Sequence, residues 1–289
     1  MKEYKKITIE EQEYPQRLKY IKSPPKALYV KGKLPRPERL SVAIVGARQC
    51  SVYGRNMARE MGEALAREGV QIISGMASGI DGEAQKGALD AGGETYAVLG
   101  SGVDICYPRE NFILYEKIQG QGGILSEQSP GTKPLPQYFP ARNRIISGLS
   151  DVVLVIEAKE KSGSLITADM ALEQGKDVYA LPGPVNSNLS RGCNKLIKQG
   201  AGIVISVEDF MGELHISHQQ KLENKEQNKI LLEREEILVY TCLDLYPKSL
   251  ETLARETALS ISELMHIIFC LELKGYVQEI SKNYYVKIK

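Results

Sequence analysis

The chain has 289 residues, 43% of them hydrophobic, and its 37 Lys and Arg nearly balance 36 Asp and Glu, for a formal net charge of +1. That length carries one α/β domain with a small appendage, or two modest domains, and the apolar content can supply a core. The even balance excludes a polycationic coat, so any anion-binding surface has to be a local patch.

The N-terminal stretch "MKEYKKITIEEQEYPQRLKY" is charged throughout and lacks the apolar centre of a signal peptide. No later run reaches the roughly 18 apolar residues of a membrane span, which places the protein in the cytoplasm with no membrane partner. Five cysteines stand far apart without a CxxC spacing, so reduced thiols are expected rather than a disulfide framework or a zinc site. Residues 1–36 read as a short lead-in, polar and broken by prolines, that packs through anchors such as Tyr14, Leu18 and Ile21.

From there, short apolar runs ("ALYVKG", "SVAIVG", "GVQIISG", "TYAVLGSG", "GGILSE", "DVVLVIEA", "DVYALPG", "AGIVIS") alternate with amphipathic stretches. Strands apolar on both faces and separated by helices call for a mostly parallel sheet covered on each side, an α/β Rossmann-like layout over residues 37–213. Val52 to Arg67 illustrates the helices: Met57, Met61, Ala64 and Leu65 make one apolar stripe, and Arg55, Arg59, Glu63 and Arg67 run along another face. Ligands of such sheets sit beyond the carboxyl ends of the strands, where this chain has loops rich in glycine, hydroxyls and arginine.

The first of these loops, "VGARQCSVYG", pairs Gly46 with Arg48. A glycine between strand and helix bares backbone N–H groups near a helix N-terminus, a reasonable anion cradle. It is not GxGxxG, and no acid ends the next strand to hold a ribose, which disfavours a dinucleotide; no cofactor is expected. Arg48 can chelate a phosphate, stack on a base or make a surface salt bridge.

In "SGMASGID", Ser78 and Gly79 are turn residues and Asp81 reads as a helix cap. "FPARNRIISGLS" brings Arg142, Asn143 and Arg144 close behind Tyr138 and Phe139, the mixture of cations and flat rings that an unpaired strand uses. Ser162, Ser164 and Thr167 lead into a further helix, either as caps or as an anion nest. "SRGCNKLIKQGA" adds Arg191, Asn194, Lys195 and Lys198.

Residues 214–229 hold almost no large apolar side chains and read as a linker. Three helices, near 230–242, 249–256 and 260–274, then two short strands, give a small winged-helix domain over 230–289. The three histidines, His215, His218 and His266, fall in this linker and tail, so no catalytic triad and no metal site is expected.

Taken in order, "IVGAR", "SGMASGIDGEAQKGAL", "AVLGSGVDICYPREN", "FPARNRIISGLSDVVLVIEA", "SGSLITADMALEQGKDVYALPG" and "SRGCNKLIKQGA" resemble the DNA-processing protein A family, also called Smf. The resemblance implies an extended Rossmann-like fold that binds single-stranded DNA cooperatively as a dimer, without turnover. It also implies protection of incoming strands in natural transformation and loading of RecA recombinase. Carried over by position, the DNA-binding residues are Gly46, Arg48, Ser78, Gly79, Arg142, Asn143 and Arg144, then Asn194, Lys195 and Arg109. Charge reversal at Arg48 or Arg142 is expected to abolish strand binding while the fold survives.

Two departures stand out. Many family members carry a helical domain before the core, where this sequence offers only about 35 residues. The last helix, "SISELMHIIFCLELKG", bears Glu263 and Glu272 with Lys274 its one basic residue, which points to a protein-contact module over a DNA reader. The alternative activity is that of the phosphoribohydrolases. Their "PGGxGTxxE" loop corresponds to "SGSLITADMALEQ", which lacks the paired glycines and a glutamate at the matching place.

Overall fold

The computed structural model describes residues 4–216, 233–244 and 246–288, which form two compact units divided between Ser217 and His218. In the first unit β1 (Lys5–Thr8), α1 (Gln16–Lys19) and β2 (Ala27–Gly32) precede β3 (Ser41–Val45) and α2 (Val52–Arg67). Then follow β4 (Gln71–Ser74), α3 (Ile80–Asp90), β5 (Thr95–Val98), a 3-10 turn (Arg109–Asn111), α4 (Phe112–Gln121) and β6 (Gly123–Ser126). α5 (Tyr138–Leu149), β7 (Val152–Val155), α6 (Gly163–Glu173), β8 (Asp177–Ala180), α7 (Arg191–Lys198), β9 (Gly202–Ile203) and α8 (Val207–Glu213) complete it.

These strands make one sheet in the order β1-β2-β6-β5-β4-β3-β7-β8-β9, parallel from β6 to β9 and antiparallel at β1 and β2. β3 to β7 are buried along their whole length, as their apolar runs demand. One face of the sheet packs on α1, α5, α6 and α7 through Leu18, Ile145, Leu149, Ala168 and Leu196. The other packs on α2, α3 and α8 through Met61, Leu65, Ala84, Ala88 and Phe210. Chain order turns back between β3 and β7, which makes the gap between their carboxyl ends a topological switch point.

The N-terminal stretch packs through the expected anchors and also extends the sheet. β1 and β2 continue the sheet beyond β6, and Tyr14, Leu18 and Ile21 are core residues, 1%, 0% and 6% exposed. The Tyr14 hydroxyl donates to the Pro25 carbonyl at 2.7 Å, and Arg17 reaches Asp151 at 2.9 Å. Only Ile7 of "KKIT" is buried, too short an alternation to read as a strand.

The second unit contains α9 (Arg234–Cys242), β10 (Lys248–Ser249), α10 (Leu250–Thr257), α11 (Ile261–Leu273), β11 (Val277–Ser281) and β12 (Tyr284–Lys287). Its sheet order β10-β12-β11 and three helices around Val239, Leu253, Leu264, Ile268 and Leu271 are a winged helix, with β10 the strand that the sequence conceals. The stretch 217–232, with most of the expected linker and with His218, lies outside the described residues. Among the described residues no helix is long and apolar enough to cross a membrane.

Candidate functional site

A cleft of about 650 Å³ opens at the switch point. Its walls are the loop after β3 (Gly46 to Gln49), the first half of α5 (Phe139 to Ile146) and the loop from β7 into α6 (Lys159 to Ser164). Arg48 is exposed, with its guanidinium carbon 5.1 Å from the centre of the Phe139 ring, and Phe139 lies 5.4 Å from Tyr107. Lys159 and Lys161, also exposed, stand on the opposite wall. This is a cationic rim around an aromatic floor.

Asp81, the carboxylate that lines the cleft, is turned toward the protein itself. Asp81 does not cap a helix: the N-cap of α3 is Gly79, and Asp81 is turned inward at 7% exposure. It accepts the Gly75 N–H at 3.1 Å, and its charge faces the Gly46 amide, so an acid of the protein already stands beside the cradle expected for an external anion. Burial pushes the Asp81 carboxyl up from its usual range, and the charge of Arg142 and these amides pull it down. Glu157, 6% exposed, does the same at α2, accepting the Ser51 N–H at 2.8 Å and the Ser51 hydroxyl at 2.6 Å. At the helix N-terminus after β3 that a dinucleotide phosphate would use, the Ser51 and Gly54 amides are already taken. The start of α6 is open instead, with Gly163 exposed and the Ser162 and Ser164 hydroxyls 2.8 Å apart at its cap.

The glycines Gly46 and Gly79 serve packing. A Cβ on Gly46 would collide with the Ile80 side chain. Gly79, at φ +77°, lies against the carbonyl oxygens of Ala47 and Arg48, so it seats the Arg48 loop on the β4–α3 turn. Ser78 donates to Glu110, and Asn111 Nδ2 donates to Met76 O at 3.0 Å, which ties the 3-10 turn to the same place.

Of the three residues read from "RNR", Arg142 and Asn143 line the cleft and Arg144 does not. Arg142 lines the cleft floor but is 5% exposed; Nη1 donates to Gly75 O at 3.0 Å and to Val98 O, and Nε to Asn143 Oδ1 at 3.2 Å. Burial lowers its pKa to about 10, against the raising charge of Asp81, so it stays cationic at neutral pH. Asn143 Nδ2 donates to Gly163 O at 3.1 Å, joining α5 to the α6 start. Arg144 makes a two-pronged bond to Glu127, at 2.9 and 2.6 Å, and also donates to Ser23 O. We expect Arg144→Ala to lower unfolding free energy by about 2–3 kcal/mol in urea titration, because it strands a mostly buried carboxylate, while strand affinity of the folded protein stays within about twofold.

Arg109 is exposed on the 3-10 turn, outside the cleft lining. Asn194 is bonded both ways to Gly183, at 3.2 and 2.9 Å, and fixes the loop after β8. Lys195 is exposed and faces a second hollow of about 580 Å³ that shares Lys161, Ser162 and Gly163 with the main cleft. Sequence reasoning did not single out Lys159, Lys161 or Tyr107. The lysines sit in "AKEK", in the loop leaving β7, which the β3–β7 pairing sets next to the Arg48 loop.

Comparison with known proteins identifies the family. A family model described as DNA recombination-mediator protein A matches residues 5–215, and one described as the DprA winged helix domain matches 223–281. Among curated relatives, the DNA processing protein DprA of Streptococcus pneumoniae is 46% identical over 69% of this chain and 71% of its own length. Protein Smf of Escherichia coli is 37% identical over 96% of this chain and 76% of its own. The X-ray structure of the S. pneumoniae protein superposes with a TM-score of 0.69 at 43% identity, covering 73% of this chain and 74% of that one. A Helicobacter pylori structure, described in terms of the single-stranded DNA binding mode of DNA processing protein A, superposes with a TM-score of 0.66 at 32% identity, covering 73% and 95%. A matched core, a matched tail and relatives aligned over most of both chains establish that this chain belongs to the DNA recombination-mediator protein A family, known as DprA or Smf.

Proposed function

We propose that this protein is a non-enzymatic single-stranded DNA-binding protein. In this reading it works without a cofactor as a cytoplasmic homodimer, protects incoming strands during natural transformation and loads RecA recombinase onto them. The observation that carries it is the cleft: Arg48, Lys159 and Lys161 line it with Phe139 and Tyr107, while Asp81 is turned inward to the Gly75 amide. Phosphates pair with the rim and an unstacked base lies on the rings, a combination that a duplex cannot use because its bases are stacked away. The H. pylori relative's strand-binding mode supports the ligand; family membership supports the links to RecA and transformation.

Asp81 argues against a nucleotide-cleaving enzyme, since the carboxylate that lines the cleft is only 7% exposed and accepts the Gly75 N–H. Incubation with nucleoside monophosphates is expected to release no free base. Fluorescence anisotropy with labelled oligonucleotides tests the binding itself. A preference for single over double strands is expected, with a salt slope of about −2 from three rim cations. Equal affinity for duplex, or indifference to salt, overturns the reading.

The homodimer is supported by the sheet edge. β9 is a two-residue edge strand, with Ile203 44% and Ile205 71% exposed, an unpaired apolar border of the kind proteins cover. Ile205→Arg is expected to shift light-scattering mass from dimer to monomer at micromolar concentration, and to cut cooperativity on long strands while affinity for a short oligonucleotide stays within about threefold.

A further inference from the structure

The helix that a DNA-reading winged helix would lay in a groove is built here for another surface. α11 contains no lysine or arginine, and its outward side carries Ile261, Met265, Phe269 and Leu273, 51%, 53%, 57% and 73% exposed. These four are spaced by four residues and form one continuous ridge, while Leu264, Ile267, Ile268 and Leu271 fill the domain core behind it. Aromatic and methionine side chains at the centre with charges only at the flanks is the make-up of a protein interface. A phosphate-lined groove has nothing to hold here.

We propose that α11 docks antiparallel against α11 of a second copy of this chain, with Met265 set on the second copy's Phe269 and Ile261 on its Leu273. The ridge is self-complementary about a two-fold axis beside Ile267: the aliphatic ends meet each other and the two larger central side chains interlock. Charge agrees with that orientation. Glu263 and Lys274 are eleven residues apart, about three full turns, so they share one flank of the helix. An antiparallel pair brings Glu263 of each copy toward Lys274 of the other, whereas a parallel pair sets like against like. Lys274 also holds Glu236 of its own α9 at 2.7 Å, which fixes it at that end. One helix pair covers less than the roughly 800 Å² per partner of a standard interface, so the contact is weak: free copies join only at high concentration, and copies held on one strand join more readily.

The test is sedimentation of the full chain carrying Ile205→Arg, which isolates this contact from the β9 edge, at concentrations up to about 200 μM. Concentration-dependent dimerisation is expected, weakened at least tenfold by Met265→Glu or by Phe269→Arg alone. Combining the two on one chain sets each new carboxylate against the second copy's guanidinium and restores association. All four positions are exposed, so circular dichroism melts are expected to agree within a few degrees. A parent that remains monomeric throughout, single variants that associate as well as the parent, or a double variant no better than the singles each overturn the proposal, the first leaving the ridge to a different protein.

Discussion

Arg48→Glu is expected to weaken single-strand binding at least about 100-fold with no change in melting temperature. Arg48 is exposed and its contact is with the Phe139 ring, so the fold does not lean on its charge. A charge-assisted bond to phosphate contributes about 1.5–3 kcal/mol, and the new carboxylate adds repulsion at the same spot, which together pass the 2.7 kcal/mol or so that a hundredfold change requires. Phe139→Ala is expected to cost about 1–3 kcal/mol through lost stacking. Because Arg48 and Phe139 touch, their effects combine to less than the sum in a double-mutant cycle. Anisotropy at one fixed salt, with a thermal melt of each variant, measures all of this; undiminished binding by the Arg48→Glu protein moves the strand to some other surface.

How far the site was legible in the sequence differs from residue to residue, for physical reasons. The buried parallel strands announce themselves as apolar runs, and the sheet order then places the loop after β3 at the ligand end. Arg48 is legible for the same reason, since an arginine in a loop leaving a buried strand has only solvent or ligand to face. Arg142 and Arg144 looked equivalent to it and are not. Whether an arginine faces outward depends on what tertiary folding brings against it, here Asp81 with the Gly75 and Val98 carbonyls for one and Glu127 for the other. No local pattern in "FPARNR" encodes those partners. The surroundings of the β3 loop were hidden likewise, because the acids beside it, Asp81 and Glu157, come from α3 and from just after β7. The α11 ridge was half legible: the lack of basic residues was plain, but the exposure of Phe269 and Leu273 depends on which face the other two helices cover.

Arg142 carries the second large prediction, and it is a prediction about stability. Its guanidinium is closed off from water and bonded to carbonyls at the ends of β4 and β5, opposite Asp81, so it ties two strand ends to α5 beneath the cleft. Arg142 and Asp81 are two buried opposite charges that act on each other without a direct bond, and removing one leaves the other with less compensation, at a cost approaching the roughly 3–5 kcal/mol of a broken buried pair. That is a large part of the roughly 5–15 kcal/mol that holds a typical domain. Arg142→Met is therefore expected to lower the urea midpoint sharply, and Arg142→Glu, which faces Asp81 with a second carboxylate, to prevent folding altogether, contrary to the expectation that the fold survives this reversal. Pairing Arg142→Met with Asp81→Asn removes both charges and is expected to recover more than half of the lost stability. Strand affinity per folded molecule then separates the two roles: a double variant that is folded and still binds within about tenfold makes Arg142 a strut of the cleft. One that is folded and does not bind returns it to the list of phosphate ligands beside Arg48.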